Sequence, residues 1–596
     1  MSHSIEVLFP LLKKKILCEP STTVAEACSQ AGYPRNLVCG GKGTCKKCLV
    51  TIKENGQISE VLSCQHPVSN GIEVYISQEA VQSQILESGN QEDFSFNPQI
   101  KAFSIAYDQI KTGLGSYDLE TINKLINRKL HFKKISLQQQ AVTTFHEKGF
   151  SLLNIVTFND EIIDMIPAEE PINAYGIAFD IGTTSVVGYL YDLTNDVLIH
   201  QHSTLNQQIS FGGDVISRID YGSKSPENLL KIQKAIHSTI NEIISNLCST
   251  SNITPEQIYH CVFCGNSTMA HLFLGINPLY LGISPFTAIS KGGFIQDGKE
   301  MHFPMNLNGK VEFLPLLGGF VGADTTSVLL SLPKDDKLRL MIDLGTNGEI
   351  AVGNHNRFFC ASTACGPALE GAGIHQGMRG THGAIEKITF DGKNIICKVI
   401  GDAAPIGFCG SGIIDAIAFL YREKLIYAKG NFIKDSDLNA HPLRDRFGID
   451  EKNQRYFVMV SADENPNGKE MIITQKDIRQ VQLAKAAIYT GCSLLIREFG
   501  IKGNDLAEIV LAGAFGNYID IKNAQYIGLL PQIDGVPIRS IGNGAGTGVQ
   551  LYLLSQEEAS FCDTIPPITT HIELATNQDF SNTYMMNTAL GQNDPL

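Results

Sequence analysis

The chain has no run of 18 apolar residues, so no segment of it is expected to span a membrane. Its opening stretch, MSHSIEVLFPLLKKK, places lysines after a short apolar patch, the reverse of a secretory signal, and a cytoplasmic protein is expected. Positive charge is the scarcer sign, with 47 Lys and Arg against 61 Asp and Glu and a formal charge of −14. Nucleic-acid binding needs a basic face that displaces counterions, so no nucleic-acid partner is expected. No G-x4-G-K-(S/T) loop occurs, which removes the P-loop nucleotide binders. Neither G-x-S-x-G nor H-E-x-x-H occurs, which leaves serine-hydrolase and zincin chemistry without a motif. With 43% apolar and 18% charged residues over 596 positions, the chain has ample core for several domains.

Cysteine is plentiful, at 15 residues. In a reducing compartment these are expected as thiols or metal ligands and not disulfides. Residues 38–50, VCGGKGTCKKCLV, hold three of them in one tight loop, which suits zinc, a disulfide or an iron–sulfur cluster. Cys39, Cys45 and Cys48 have the spacing C-x5-C-x2-C, and Cys64 follows after 15 further residues. Structural zinc sites usually offer two C-x2-C pairs, whereas one pair and two singles stand here. The spacing is much closer to the four-thiolate ligation of 2Fe–2S ferredoxins. Gly40, Gly41 and Gly43 suit a loop that must adopt positive φ and bring amides close to sulfur. Around the loop, SIEVLFP and KKKILCE read as a strand pair, TTVAEACSQAG as a helix ending at Gly32, and CLVTIKENGQI as a strand entering an Asn-Gly turn. This order resembles a β-grasp ferredoxin domain over residues 1–80, with a first cysteine gap similar to the adrenal type. Cys18 and Cys28 are expected in its core. Cys261 and Cys264 fall in YHCVFCGN, a buried strand, and read as core thiols in preference to a redox pair.

Residues 81–100 are polar and non-periodic and read as a linker. Residues 101–172 mix a helical stretch, LETINKLINRKL, with the strand-like SLLNIVTFND, and are expected to form a small α/β domain without chemistry of its own.

From residue 173 to 596 the signal is an internal repeat. YGIAFDIGTTSVVGYLY (175–191) and LRLMIDLGTNGEIAVG (338–353) each give an apolar strand, Asp-(Ile/Leu)-Gly-Thr, a short turn and a second apolar strand. Asp180 and Asp343 lie 163 residues apart, which implies a duplicated α/β fold with a cleft between its halves. A strand ending in Asp and followed by Gly and hydroxyl residues presents amides and OH groups to phosphate. The carboxylate is placed to hold Mg²⁺ or its waters. These loops resemble the two phosphate loops of the acetate and sugar kinase, heat-shock chaperone and actin superfamily. IVLAGAFGNYI (509–519) resembles its adenosine loop. VGADTTSVLLSL (321–332) and GNGAGTGVQLYLL (542–554) resemble its two connecting helices. Carried over by motif, the ATP and Mg²⁺ residues are Asp180, Gly182, Thr183, Thr184, Asp343, Gly345, Thr346, Asn347, Gly513 and Gly516, with Asp324 placed to orient the attacking water. Catalytic roles fall to Asp324, Asp180 and Asp343. STACGPALEGAGI (362–374) and GFCGSGIIDAIA (407–418) both read as glycine-rich entries to helices, facing nucleotide or required by packing.

A ferredoxin domain joined to this ATPase fold resembles one family over essentially the whole chain, the reductive activators of corrinoid-dependent proteins. NQQISFGGDVISRI (206–219) and LPLLGGFVGADTT (314–326) are similar to that family's motifs. The resemblance implies a 2Fe–2S cluster on Cys39, Cys45, Cys48 and Cys64, one-electron reduction of a Co(II) corrinoid to Co(I), and ATP as the drive. It also implies a corrinoid iron–sulfur protein or O-demethylase corrinoid protein as partner, an upstream low-potential donor, and a homodimer. The competing readings are an ATP-gated donor to another enzyme such as a dehydratase, whose activators carry a cluster-bridging cysteine near the place of Cys360 and Cys365; a small-molecule kinase with a redox sensor; and a non-catalytic redox-sensing module.

Overall fold

The computed structural model describes residues 4–31, 33, 35, 37, 41, 43, 46, 48–76, 94–113, 118–146, 150–345, 347–438, 441–513, 516, 518–574, 577–592 and 596. The front of the chain forms a five-stranded mixed sheet in the order Lys14–Cys18, Ile5–Phe9, Ile72–Tyr75, Leu49–Glu54, Gln57–Leu62. Ile5–Phe9 is antiparallel to its hairpin partner and parallel to Ile72–Tyr75. Asn55 and Gly56 both take positive φ, 50° and 80°, so the hairpin closes through a turn whose twist matches its strands. Helix Val24–Gln30 starts from a reciprocal cap between Thr23 and Glu26. Its Val24, Ala27 and Cys28 pack with Val7, Phe9, Cys18, Ile52 and Val74 into one core. This is the β-grasp arrangement, with Cys18 and Cys28 inside it as the sequence implies. A core this small supplies only about 3–5 kcal/mol, so docking and any bound cluster matter to its stability.

Strands Ile100–Ala106, Leu152–Phe158 and Glu161–Ala168 make an antiparallel sheet over a core of Ile105, Ile122, Leu153, Ile155, Ile162 and Met165. Paired polar groups seat this small domain on the region around Tyr259, Asp297 and Asn306. The Tyr259 hydroxyl and Asn306 Nδ2 donate to Asp164 Oδ2 at 3.1 and 3.0 Å. Lys134 pairs with Asp297 at 2.7 Å, and Glu161 with Lys310 at 3.5 Å. Asn97, in the stretch read as a linker, exchanges backbone hydrogen bonds with Leu554 and Gln556 at 3.0 and 2.8 Å.

By compactness the chain falls into two units, the first comprising residues 1–80, 91–331 and 545–566 and the second the remainder. In the first unit a six-stranded sheet runs Val197–Leu205, Ser185–Asp192, Tyr175–Ile181, Ile258–Gly265, Lys310–Phe313, Phe294–Asp297. In the second it runs Thr569–His571, Arg357–Thr363, Gly348–Asn354, Arg339–Leu344, Glu508–Ala512, Ile538–Ser540. Both contain the same five-strand order, 3-2-1-4-5, with strand two antiparallel to its neighbours one and three and strands four and five parallel to strand one on its other side. The register repeats as well, since Asp180 lies opposite Cys264 and Asp343 opposite Ala512. The duplication inferred from two short motifs therefore extends through the sheets. Central strands are buried on both faces, which is why YGIAFDI and RLMIDL read as continuous apolar runs and do not alternate.

Helix Ala323–Leu330 meets the helix of residues 544–554 backbone to backbone. Ser327 Oγ donates to the Ala545 carbonyl at 2.6 Å, and a Cβ on Gly548 would stand 1.8 Å from the Ser327 carbonyl oxygen. Among the described residues no helix is long and apolar enough to cross a membrane. One expectation needs correction. Residues 362–374 do not lead into a helix; they form a 3-10 turn, Pro367–Glu370, and then turn through Gly371 and Gly373 at φ 77° and 82°, which is incompatible with helical backbone.

Candidate functional site: two Asp-Gly-Thr loops and a cysteine pair

In the first unit, strand Tyr175–Ile181 delivers Asp180 to its C-terminal end. The chain then turns at Gly182, where a Cβ would lie 2.7 Å from the Ser185 carbonyl oxygen, so only glycine fits. Asn206 anchors the turn, donating from Nδ2 to the Gly182 carbonyl at 3.0 Å and from its backbone N–H to the Thr184 carbonyl at 2.9 Å. Asn266 Nδ2 donates to the Thr183 hydroxyl at 3.1 Å, and the guanidinium of Arg218 donates to the Thr183 carbonyl. Arg218 is fully buried; burial lowers its pKa to about 9, and Asp214 opposes the drop, so it stays a cation at neutral pH.

Asp324 sits in the first turn of helix Ala323–Leu330 and accepts the Thr325 N–H at 2.8 Å. Burial raises its carboxyl to about 7; backbone amides oppose the shift, and the Asp180 carboxylate adds to it. The close fit behind it comes from Gly322, where a Cβ would stand 2.4 Å from Asn266 Cα. Cys264 Sγ is 3.9 Å from Asp180 Oδ1 and donates to the Ala545 carbonyl at 3.7 Å. Burial, with Asp180 and Asp324 nearby, drives its pKa well above an ordinary thiol's, so it serves as a donor and not as a nucleophile. Cys261 and Cys264 are both fully buried in their strand, in keeping with core thiols. Asp180 at the strand end and Asp324 at the helix start are neighbouring, partly buried carboxylates, and Asp180 offers the hard oxygen donors that suit Mg²⁺.

In the second unit, strand Arg339–Leu344 delivers Asp343 to the equivalent place. The Gly345 N–H donates to the Asn347 carbonyl at 3.0 Å, closing the turn. Gly513, at φ 85°, lies against the acid, so that a Cβ there would be 2.5 Å from Asp343 Oδ1. Its N–H donates to the Gly542 carbonyl at 2.9 Å, and the Gly516 N–H to the Gly513 carbonyl at 3.2 Å. Asp343, Gly345, Asn347, Gly513 and Gly516 are thus gathered around one strand end; Thr346 lies outside the described residues. Cys365 Sγ donates to the Gly345 carbonyl at 3.7 Å and is buried, with its pKa pushed up to about 12 by burial and by Glu349 and Glu370. Cys360 is fully buried in a strand. The 407–418 stretch serves packing: a Cβ on Gly412 would be 2.0 Å from the Ile385 carbonyl oxygen.

Of the four candidate cluster ligands, Cys48 and Cys64 are described, and Cys39 and Cys45 lie outside the described residues. The two sulfurs stand 3.2 Å apart, Cys48 donating to Cys64, and are buried together with Ala25 and Leu37. Ser63 holds them there, giving its N–H and its hydroxyl to the Cys48 carbonyl at 3.0 and 2.8 Å. Gly41 and Gly43 take φ of 75° and 71°. Two converging thiols beside positive-φ glycines fit thiolate ligation of an iron–sulfur cluster.

Sequence reasoning singled out the 206–219 stretch and placed Cys264 in the core, but it gave Asn206, Arg218, Cys264 and Asn266 no part in the site; Cys264 takes the register position that Ala512 holds in the second sheet.

A duplicated 3-2-1-4-5 sheet with an Asp-(Ile/Leu)-Gly-Thr turn at the end of the first strand of each half defines the actin-like and sugar-kinase-like ATPase class. Residues 337–595 match the C-terminal domain of RACo, the ASKHA domain, and residues 175–335 match the RACo middle region. The family's middle region is thus the first half of the duplicated fold. The chain belongs to the RACo family of corrinoid reductive activators, as the resemblance in its motifs implied. It is 58% identical over 592 residues to the corrinoid activation enzyme RamQ of Eubacterium limosum, covering 99% of this chain and 100% of that one. It is 25% identical over 430 residues to the [Co(II) methylated amine-specific corrinoid protein] reductase of Methanosarcina barkeri, covering 69% and 76%. The solved structure of a reductive activator for corrinoid, iron–sulfur protein aligns over 99% of both chains, with 30% identity and a TM-score of 0.74.

Proposed function

We propose that this protein uses ATP to return a partner's corrinoid from Co(II) to Co(I) by one-electron reduction. The observation that supports this most is full-length likeness to a corrinoid activation enzyme in a chain that pairs buried, converging thiols with two Asp-Gly-Thr loops. Cys39, Cys45, Cys48 and Cys64 would hold a 2Fe–2S cluster, which when bound supplies a low-potential one-electron donor. A shortfall of about 100 mV against the corrinoid costs roughly 2.3 kcal/mol for one electron. A ligand with strong state preference shifts a two-state equilibrium by up to about 5.5 kcal/mol, which is ample.

The roles of the chain's own groups follow from their geometry. The Gly182–Thr184 turn and the Gly345–Asn347 turn, with Thr346, offer amides and hydroxyls to phosphate. Asp180 and Asp343 hold Mg²⁺ or its waters. Gly513 and Gly516 let backbone approach the adenosine. Asp324, with a pKa near neutrality, takes the proton of the attacking water as it adds to the γ-phosphate. The partner is read as a methyl-transferring corrinoid protein, of the corrinoid iron–sulfur or O-demethylase kind, with a separate low-potential donor upstream. We further assign the boundaries 1–80, 81–100, 101–172 and 173–596 to ferredoxin, linker, middle and ATPase domains, a cytoplasmic site of action, and a homodimer.

The test is anaerobic. Reduced protein is mixed with a host corrinoid protein poised as Co(II), and the Co(I) absorption band is followed with and without ATP–Mg²⁺. ATP-dependent Co(I), lost in Cys45→Ser and in Asp343→Ala, is the expected result. No Co(I) from any corrinoid protein of the host, with cluster absorbance intact and ATP bound, refutes the proposal.

A further inference from the structure

The Asn206–Gly213 segment, NQQISFGG, is polar in sequence, yet Asn206, Gln207, Gln208, Ile209 and Ser210 are all buried. Burying a polar loop is costly unless its groups are satisfied, and the Ser210 hydroxyl has no hydrogen-bond partner among the described residues. The loop's bonds run to two places. On one side it holds the first phosphate turn, through Asn206 to Gly182 and Thr184. On the other it holds the front domain just ahead of the cysteine loop. The Leu37 N–H donates to the Ile209 carbonyl at 3.3 Å, and the Gly213 N–H donates to the Leu37 carbonyl at 3.1 Å. Ser29 Oγ adds a bond to the Gln207 carbonyl at 3.4 Å. The Leu37 side chain packs with Cys48 and Cys64, so one residue has its backbone on the loop and its side chain on the thiols.

Arg218 ties the two sides together. Its Nε donates to the Gly212 carbonyl at 2.9 Å, one Nη to Gln208 Oε1 at 3.5 Å, and the other Nη to the Thr183 carbonyl in the phosphate turn. A guanidinium spans these acceptors because its donors form a rigid planar fork; an ammonium carries charge but not that reach. Gly212 is required for the fit, since a Cβ there would stand 2.7 Å from Ser217 Cβ and 2.9 Å from Arg218 N.

We infer that Asn206–Gly213, held by Arg218, is a coupling element through which nucleotide on the Gly182–Thr184 turn and the redox state of the group on Cys48 and Cys64 each alter the other's free energy. Arg218 and Leu37 are positioning residues in this scheme. It rests on the reading of those two sites given above. The sign follows from charge. A bound polyphosphate and an added electron are both negative, so nucleotide favours the oxidised form and makes the reduced form a stronger donor. Linkage makes the effect reciprocal.

The experiment uses the full-length protein under anaerobic conditions, with cluster absorbance checked before each measurement. A non-hydrolysable ATP analogue with Mg²⁺ is bound to oxidised and to dithionite-reduced protein by calorimetry, and the midpoint potential is titrated with and without analogue. Coupling at the low end of the usual range gives about fivefold weaker binding to the reduced form. At 59 mV per tenfold for one electron, that equals a potential about 40 mV lower with analogue bound. Hydrogen exchange at the Leu37 and Gly213 amides should slow on binding. Arg218→Lys should still bind cluster and analogue but lose most of the redox dependence. Equal affinities and an unshifted potential in the wild type overturn the inference, as does full coupling in Arg218→Lys. Loss of cluster absorbance or of analogue binding in the wild type instead overturns the site assignments beneath it, and the coupling with them.

Discussion

Asp324→Asn separates the chemical from the structural role of one carboxyl. In the folded protein burial and Asp180 hold Asp324 near pKa 7, against 3.8 for the free side chain. The folded value is raised, so the folded state binds more protons than the unfolded one between those limits. Wild-type stability therefore falls as pH rises from about 4 to 7 and is flat above. From about pH 5 to pH 8 some two pK units of that window are crossed, or about 2.7 kcal/mol at 1.36 kcal/mol per unit. Asp324 is only partly buried by accessible surface, and the remaining solvent screening reduces this to about 1–2 kcal/mol. Asn is nearly isosteric and carries no such slope. The expected result is an Asn variant whose melting temperature gains on the wild type by roughly 2–4 °C between pH 5 and 8, taking about 2 °C per kcal/mol for a large unit. In the same variant ATP hydrolysis should fall by about 10²-fold or more, as for loss of a general base. Melting of both proteins by scanning calorimetry across that pH range, with phosphate release measured alongside, decides the matter. Parallel pH–melting curves would refute the electrostatic account, and undiminished hydrolysis would refute the role in catalysis.

Gly548→Ala places a Cβ 1.8 Å from the Ser327 carbonyl oxygen, and a denaturant titration should show a loss of about 3 kcal/mol; an unchanged midpoint would refute the close packing of the two helices. Lys485 is fully buried, its Nζ bonded to the Ala589 and Gly591 carbonyls, and burial lowers its pKa to about 7. The folded value is depressed below that of free lysine, so wild-type stability should rise with pH above about 7, and Lys485→Met should lack that rise; equal urea midpoint slopes in the two proteins would count against it. Cys64→Ser should abolish the visible iron–sulfur absorbance and lower the front domain's melting temperature, whereas Cys365→Ser should leave the absorbance intact.

The β-grasp domain and the paired loops were legible because each needs particular residues at fixed spacing. A strand pair with an Asn-Gly turn and four spaced cysteines are local signals, and Asp-x-Gly-Thr stands out because the chain turns directly after a buried strand, tightly enough at Gly182 to exclude a Cβ. The fourth strands of the two sheets were not matched by sequence, since CGNS and AGAF share only Gly265 and Gly513; pairing with Asp180 and Asp343 reveals the equivalence. The 206–219 stretch was legible as a motif, but the roles of Asn206 and Arg218 were not, because only three-dimensional contact with Leu37, Gly182 and Thr183 shows what the polar segment holds. The 362–374 stretch was misread because glycine-rich composition does not distinguish a helix entry from successive positive-φ turns.

The first unit is discontinuous in sequence, and this bears on how the protein is made. Residues 545–566 belong to it, yet residues 332–544, 213 in all, are synthesised before them. At about 5–20 residues per second a ribosome takes roughly 10–40 s over that interval. Throughout it, the face of helix Ala323–Leu330 that meets Ala545 and Gly548 has no partner, and the Cys264 thiol lacks its acceptor at Ala545. The β-grasp domain, complete from the first 80 residues, emerges long before. Cys39, Cys45, Cys48 and Cys64 are therefore out of the ribosome while the ATPase half next to them is still unfinished, so loading of the proposed cluster need not wait for that half.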